Sequence, residues 1–297
     1  MPETADPAQP LSDRERAIRA IKFLLFSASL VPAAVGGAIA AHAGAFAWLP
    51  FALATLGLFV GQAAGDYLYY YLTHFHTDAR DAHTRIFAGW RPLFTGTLLR
   101  PEQSLWAGVA CLLVDLAIAA YFVGTAGTGV LWFALAGGGV AVFFTPLMLR
   151  GLKEPVIFVT FGPLCVMGVV YVLTGAVSVT AFVASLPIGF FVAGVAYLKS
   201  ARFALAGDDT GQVVLRLSRA TILALLGLGY LALLIGVSVG ALPPGSLAGL
   251  LSVPLAWRVV AAVRQSSSAL VDYLWATVRS ILTLIVVGAG LTLGFLL

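Results

Sequence analysis

Two polar segments, Gly61–Asp81 and Tyr197–Gly211, each place acids and bases at the end of an apolar run. In the second segment, Asp208 and Asp209 could hold Mg²⁺ together with water, because this ion favours a few carboxylates plus phosphate oxygens. The same Asp-Asp-Thr-Gly sequence is also an ordinary turn signal. The residues alone leave both interpretations open.

The first segment begins with a carboxylate inside, or at the end of, an apolar run. Asp66 stands among Tyr67, Tyr69 and Tyr70. A carboxylate within a membrane usually faces a cavity or a partner, which favours a functional role. The alternative is an acid at headgroup level beside an interfacial belt of tyrosines.

Beyond Asp66, the first segment carries further groups that could bind a metal ion, namely His74, His76, Asp78 and Asp81. Imidazole and carboxylate groups in this number are sufficient ligands for a metal. A polar connection of this kind is, however, more often simply solvated. A separate acid, Asp115, falls inside an apolar run with no obvious partner, and its role stays open.

The elements that must position these groups are membrane-spanning helices. Of the 297 residues, 60% are hydrophobic and only 10% are charged, whereas soluble domains carry charge on about a quarter of their residues. Apolar runs of about 18–25 residues are long enough to cross a bilayer, and in lipid they must be helical. We predict nine spans, which start near Phe23, Leu49, Leu105, Val130, Pro155, Thr180, Ala220, Ser246 and Thr277.

The distribution of cations predicts the orientation of the chain. All 17 lysines and arginines lie before the first span or in and beside alternate connections, and the connections around His42, Thr125, Gly175 and Pro243 carry none. Because positive residues stay cytoplasmic, we expect the N-terminus inside and Leu297 outside. The net charge of +4 reflects this bias. It does not indicate nucleic-acid binding, since no compact basic domain exists to carry it.

The domain organisation is simple. We expect residues 1–20 to form a disordered cytoplasmic tail, because the opening is rich in Pro, Asp and Glu, and residues 21–297 to form one transmembrane domain. The first apolar run follows a long charged stretch and precedes eight further spans, which argues against a cleaved signal peptide.

Three stretches of the chain carry motifs of a known family. Gly151–Gly175 contains Phe-Gly-Pro-Leu and closes on Thr-Gly, Gly65-Asp66-Tyr67 is close to Asn-Asp-Tyr, and the stretch from Phe94 to Gln103 leads into the third span. These stretches resemble the UbiA superfamily of intramembrane prenyltransferases, in particular the branch that prenylates 1,4-dihydroxy-2-naphthoate on the way to menaquinone. The resemblance covers the chain from about Ala20 onward. It implies an all-α, polytopic membrane fold with about nine transmembrane helices around a central cavity.

The family's catalysts are two Asp-rich motifs that hold Mg²⁺, and both are altered here. In the first motif, Asp66 matches the leading aspartate, but Gly65 replaces an asparagine and Tyr69 replaces the next aspartate. In relatives, the bound Mg²⁺ ions hold a prenyl diphosphate and stabilise its departure, which leaves an allylic cation to attack an aromatic acceptor.

The second motif is altered more strongly. Arg202 matches the family's arginine, whereas Phe203 and Gly207 replace its two aspartates, and Asp208 and Asp209 fall one and two places late. A site with fewer acids predicts a weak or partial Mg²⁺ site. Cations can meet a diphosphate directly instead.

The resemblance implies a prenyltransferase, or a divergent relative, in a bacterial or archaeal cell membrane. It would transfer an isoprenoid from its diphosphate to a small aromatic or lipid-soluble acceptor. The catalytic acids would be Asp66, Asp208 and Asp209, which would also hold Mg²⁺, with Asp78 and Asp81 as further candidate ligands. The substrate-binding residues would be Lys199, Arg202, Lys153, Arg80 and Tyr70.

Two other classes of function stay open. One is a catalytically degenerate family member that binds isoprenoids or partner enzymes, and the other is a small-molecule transporter. Transporters often show paired Gly/Pro-broken helices and sites at the bilayer midplane. Here nearly all charges lie at one face, which favours a site at the cytoplasmic mouth, where we expect Asp66, Arg202 and Asp208 to approach one another.

Overall fold

The computed structural model describes residues 13–74, 100–205, 219–264 and 270–297, and every regular element within these ranges is helical. The α-helices in chain order are α1 (Asp13–Leu24), α2 (Ser27–His42), α3 (Trp48–His74), α4 (Pro101–Ala126), α5 (Val130–Leu149), α6 (Lys153–Val159), α7 (Cys165–Thr174), α8 (Val179–Leu205), α9 (Arg219–Ser238), α10 (Val253–Arg264) and α11 (Leu270–Leu296). A π-helical turn, Thr160–Leu164, joins α6 to α7, and a 3₁₀ segment, Pro244–Ser252, leads into α10.

Eight helical stretches in the described ranges are long and apolar enough to cross a membrane. They are Trp48–Thr73, Pro101–Ala126, Val130–Leu149, Lys153–Thr174, Val179–Lys199, Ala220–Ser238, Pro244–Val263 and Asp272–Leu296. They correspond to the second to ninth predicted spans, so the predicted all-α, polytopic membrane fold is confirmed. The first predicted span, from Phe23, is instead the shorter apolar helix α2 of 16 residues. The protein is an integral membrane protein.

Two spans form the interior of the bundle. Most residues of the apolar stretches of α8 and α11 are buried, whereas only a minority is buried in each of the other spans. The exposed side chains include large apolar groups such as Trp132 and Trp257. Lipid tails are as apolar as leucine, so these side chains can face the bilayer without a cost in free energy.

Small residues bring α11 close to the 3₁₀ segment. Gly245 and Gly249 of the 3₁₀ segment face Gly294 and Gly290 of α11, respectively. In each element the two glycines are four residues apart, a spacing that lets membrane helices approach closely. A Cβ added at Gly245 would lie 3.0 Å from the Cα of Gly294, and one added at Gly290 would overlap the backbone nitrogen of Gly249. Any larger side chain here would force the two elements apart.

Helix α1 begins at Asp13, within the stretch that was expected to be a tail as far as residue 20. Ala17 and Ile21 are buried and belong to a cluster with Leu274 and Ile281 of α11. Composition alone does not show this, because it counts charges but not the four-residue spacing that places two apolar residues on one helix face. Residues 1–12 lie outside the described residues.

The π-helical turn packs tightly against α8. A Cβ added at Gly162 would lie 2.9 Å from the Cα of Gly189 and 2.9 Å from the carbonyl oxygen of Ser185. Pro163, inside the turn, has no N–H to donate. Turns of this type interrupt the regular α-helical repeat and are frequent at functional sites.

Candidate functional site

The described helices surround a cavity of about 970 Å³. Its walls come mainly from α3, α4, α5, the α6–α7 span and α8, with smaller contributions from α1, α2 and α11. Binding pockets for small molecules usually measure about 300–1,000 Å³. The cavity therefore lies at the upper end of this range and has room for two small substrates together.

Helix α3 presents a stripe of polar side chains to the cavity. Gln62, Asp66 and Tyr69 all line it, and their spacing of four and three residues places them on one helix face. Asp66 is partly buried and lies near the end of the helix. The structure therefore places this carboxylate in a cavity wall and not on the lipid-facing surface.

Gln62 holds the junction of α1 and α2 against this stripe. Its Nε2 donates to the carbonyl oxygen of Leu25 at 3.4 Å, and its Oε1 accepts a hydrogen bond from the hydroxyl of Ser29. The Ser29 hydroxyl also lies 3.2 Å from the carbonyl oxygen of Leu58. These contacts fix the cavity wall one helical turn before Asp66.

Tyr69, and not Tyr70, belongs to the cavity wall. The ring of Tyr69 meets that of Phe144 edge-on, with ring centroids 6.2 Å apart. Tyr70, which we expected to contact substrate, is only 5% exposed and does not line the cavity. Successive residues of an α-helix point about 100° apart, which separates these neighbouring tyrosines.

Two lysines reach the cavity from adjacent helices. Lys153 is the first residue of α6 and donates from Nζ to the carbonyl oxygen of Ala196 on α8 at 3.2 Å. Lys199 lies three residues further along α8, and both lysines line the cavity together with Asp66. Consecutive spans run in opposite directions, so the end of α3, the start of α6 and the end of α8 lie at one end of the bundle. A carboxylate and two ammonium groups therefore meet the cavity at this end.

The structure also brings Asp115 of α4 to the cavity, although the sequence left its role open. Its carboxylate faces two glycines of α3. A Cβ added at Gly61 would lie 2.9 Å from one carboxylate oxygen, and one added at Gly57 would lie 3.6 Å from the other. The signal that could have indicated this packing is the pair of glycines four residues apart in an otherwise bulky apolar run.

Other predicted site residues fall outside what the structure describes. These are Asp78, Arg80, Asp81, Asp208 and Asp209. Arg202 lies in α8, three residues beyond Lys199. Within the described ranges, no group of three or more His, Cys, Asp or Glu residues could hold a metal ion. The Mg²⁺ site stays a prediction.

A bundle of membrane-spanning helices around an apolar cavity with charged groups at one end defines a class of protein. It is an integral membrane protein with an internal cavity that is largely apolar and carries charged groups at one end. A family model narrows this class: the model of the UbiA prenyltransferase family matches residues 29–295, and the chain belongs to this family. A search of curated proteins gives no match.

The family match confirms the resemblance at the level of the superfamily, whereas the branch stays a prediction. Members of the family are membrane prenyltransferases, which in general use isoprenyl diphosphates and lipid-soluble acceptors.

Proposed function

We propose that the protein transfers a prenyl group from an isoprenyl diphosphate to a small aromatic or other lipid-soluble acceptor. The observation that carries the proposal is the cavity itself, which is largely apolar and has Asp66, Lys153 and Lys199 at one end. An isoprenyl diphosphate has the complementary form, with a strongly anionic head and an apolar chain. Membership of the prenyltransferase family supports the same assignment.

The two lysines would bind the diphosphate and stabilise its departure. An ammonium group binds phosphate oxygens as a compact charge, and fixed positive charge stabilises the negative charge that develops on a leaving group. The bond between the allylic carbon and the diphosphate oxygen breaks, and both electrons leave with the diphosphate. The acceptor then forms a bond to the allylic carbon and loses a proton. Arg202 and Arg80 are further candidates for contacting the diphosphate.

The donor set fits Mg²⁺ only as an ion that is shared with the substrate. Mg²⁺ is usually held by one or two carboxylates and completed by phosphate oxygens and water, and Asp66 supplies one carboxylate in the described part of the site. A bound Mg²⁺ would neutralise part of the diphosphate charge. Because Tyr69 stands where relatives have an acid, we propose a weak site in which the lysines contribute part of the binding. The candidate partners of Asp66 are Asp208, Asp209, Asp78 and Asp81.

The opposite part of the cavity suits the apolar components of the reaction. Ala119, Phe122 and Val123 of α4 and Val169 of α7 line it, and such side chains favour a prenyl chain over water. The resemblance of Gly151–Gly175 to the naphthoate branch supports a hydroxylated aromatic acceptor of the kind used in quinone biosynthesis. We propose a bacterial or archaeal cell membrane as the location, with the charged end of the cavity on the cytoplasmic side.

A product assay tests the proposed function. Purified full-length protein is incubated with Mg²⁺, prenyl diphosphates of several chain lengths and hydroxylated aromatic acceptors, and products are identified by mass spectrometry. We expect a prenylated acceptor, and we expect Asp66→Asn to lose it. The matched control is Asp272→Asn, which changes an exposed acid that does not line the cavity and should keep turnover.

Two outcomes would overturn the proposal. Binding of prenyl diphosphates without turnover for any pair of substrates would identify a non-catalytic isoprenoid-binding protein. Absence of both binding and turnover, together with uptake of a small molecule into vesicles that contain the protein, would identify a transporter.

A further inference from the structure

A second carboxylate lines the cavity away from its charged end. Asp115 lies in the middle of α4 and is partly buried. Among the described residues, no hydrogen bond or ion pair satisfies this carboxylate. A charged or polar group inside a membrane protein usually has a partner or faces a ligand pathway, so the cavity is the place where the partner of Asp115 would bind.

The packing of α3 against α4 gives the depth of this carboxylate. The hydroxyl of Ser104 donates to the carbonyl oxygen of Tyr67 at 2.8 Å, which fixes the antiparallel register of the two helices. In this register Asp115 lies at the level of Gly61, five residues before Asp66. Five residues of α-helix rise by about 7.5 Å. This separation from the charged end is comparable with the length of a substituted aromatic ring.

A hydroxyl group on a different wall is also without a partner. Ser27 of α2 lines the cavity and is 8% exposed, and no described residue makes a hydrogen bond to its Oγ. Buried polar groups in proteins are nearly always hydrogen-bonded. The Ser27 oxygen is itself buried, so in the described part of the cavity it is Asp115 that offers an unsatisfied polar group to a ligand.

The glycines of α3 leave room for the Asp115 carboxylate in the cavity wall. Any side chain at Gly61 would come within 2.9 Å of the carboxylate and displace it. The neighbouring cavity-lining residues of α4, which include Leu112, Leu116 and Ile118, are apolar. These three residues offer neither a cation nor a hydrogen-bond donor, so none of them competes with a ligand group for the carboxylate.

From these observations we infer that Asp115 selects the acceptor, by binding a hydroxyl group on its aromatic ring. A carboxyl group can accept a hydrogen bond from a hydroxyl in either protonation state, whereas an ionised carboxylate repels an anionic substituent. The residue thus favours a hydroxylated ring and disfavours a ring that presents a carboxylate at this depth. This inference rests on the proposed prenyl transfer, because it assigns Asp115 to the acceptor side of that reaction.

Three ligands with the same ring system test the inference directly. The binding of 1-naphthol, 1-naphthoate and naphthalene to full-length protein in lipid nanodiscs is measured by fluorescence titration, with empty nanodiscs as the background. We expect 1-naphthol to bind about tenfold more tightly than either of the other two ligands, as for a hydrogen bond to a charged group. Asp115→Leu should remove this preference, and Asp115→Asn should keep 1-naphthol binding while improving that of 1-naphthoate.

Two further variants guard against effects of folding. Gly61→Ala leaves Asp115 in the chain but displaces its carboxylate, and it should also reduce the preference for 1-naphthol. Thr125→Val changes an exposed hydroxyl on the same helix outside the cavity and should leave the preference unchanged. Equal binding of the three ligands by the parent protein, or an unchanged preference in Asp115→Leu, would overturn the inference.

Geranyl diphosphate binding in the same samples separates this inference from the proposed function. If geranyl diphosphate does not bind while the preference for 1-naphthol depends on Asp115, the hydroxyl site stands and prenyl transfer is wrong. If geranyl diphosphate binds and turns over while the three naphthalene ligands bind equally, prenyl transfer stands and the role of Asp115 is wrong.

Discussion

Replacing Lys199 by methionine should weaken the binding of a prenyl diphosphate by about 10- to 150-fold. Lys199 lines the cavity at the end where Asp66 and Lys153 lie, and methionine keeps an unbranched apolar side chain while removing the ammonium group. A hydrogen bond to a charged group contributes about 1.5–3 kcal/mol. Since about 1.4 kcal/mol corresponds to a tenfold change in Kd, these energies give the expected range.

Isothermal titration with geranyl diphosphate, with and without Mg²⁺, measures this effect. The matched control is Arg150→Met, because Arg150 follows α5 at the same end of the bundle but is exposed and does not line the cavity. The reasoning is refuted if Lys199→Met binds as tightly as the parent protein. It is also refuted if Arg150→Met weakens binding equally, since that would reflect general surface charge, which added salt screens.

Three further predictions concern the membrane topology, the acid of the site and the packing of the bundle. A reporter fused after Leu297 should be exposed on the non-cytoplasmic side, because all cations flank the opposite ends of the spans; a cytoplasmic reporter would contradict this. Asp66→Asn should abolish the Mg²⁺-dependent part of geranyl diphosphate binding in the same titration and leave the Mg²⁺-independent part. Gly290→Ala should destabilise the protein by about 1–3 kcal/mol, as expected for overpacking, because the added Cβ would overlap the backbone of Gly249. Gly124→Ala, whose Cβ would have no atom within 4 Å, should not lower the unfolding temperature in detergent.

The spans could be predicted from the sequence because a helix that crosses the bilayer needs a long run of apolar residues. For most of the spans, this run is visible in the sequence without any further information. The first predicted span shows which structural detail this signal does not contain. The apolar run from Phe23 continues through Leu25 and Phe26, where the chain turns before α2 begins at Ser27. A hydrophobicity profile does not show this turn, because both residues that form it are apolar. It also does not distinguish the 3₁₀ segment Pro244–Ser252 from an α-helix.

The candidate site could be predicted in part. Asp66, Lys153 and Lys199 line one cavity, and each stands at the end of a predicted span, where charges in a membrane protein are expected. Tyr70 was predicted to bind substrate but does not line the cavity, because the position of a residue in the chain does not give the direction of its side chain. The position of Asp115 depends on glycines of another helix, and a single sequence does not show which helices are neighbours.

The π-helical turn determines how α6 is rotated about the helix axis relative to α7. Lys153 and Ile157 before the turn, and Gly168 and Val172 after it, all face the cavity, although the turn adds one residue between them relative to a continuous α-helix. Deleting one residue from Thr160–Leu164 would restore the regular repeat and rotate Lys153 by about 100° relative to Gly168. The ammonium group would then leave the cavity wall while the apolar surface of α7 stayed in place. The length of this segment, to the single residue, therefore determines whether Lys153 joins Asp66 and Lys199 at the charged end of the cavity.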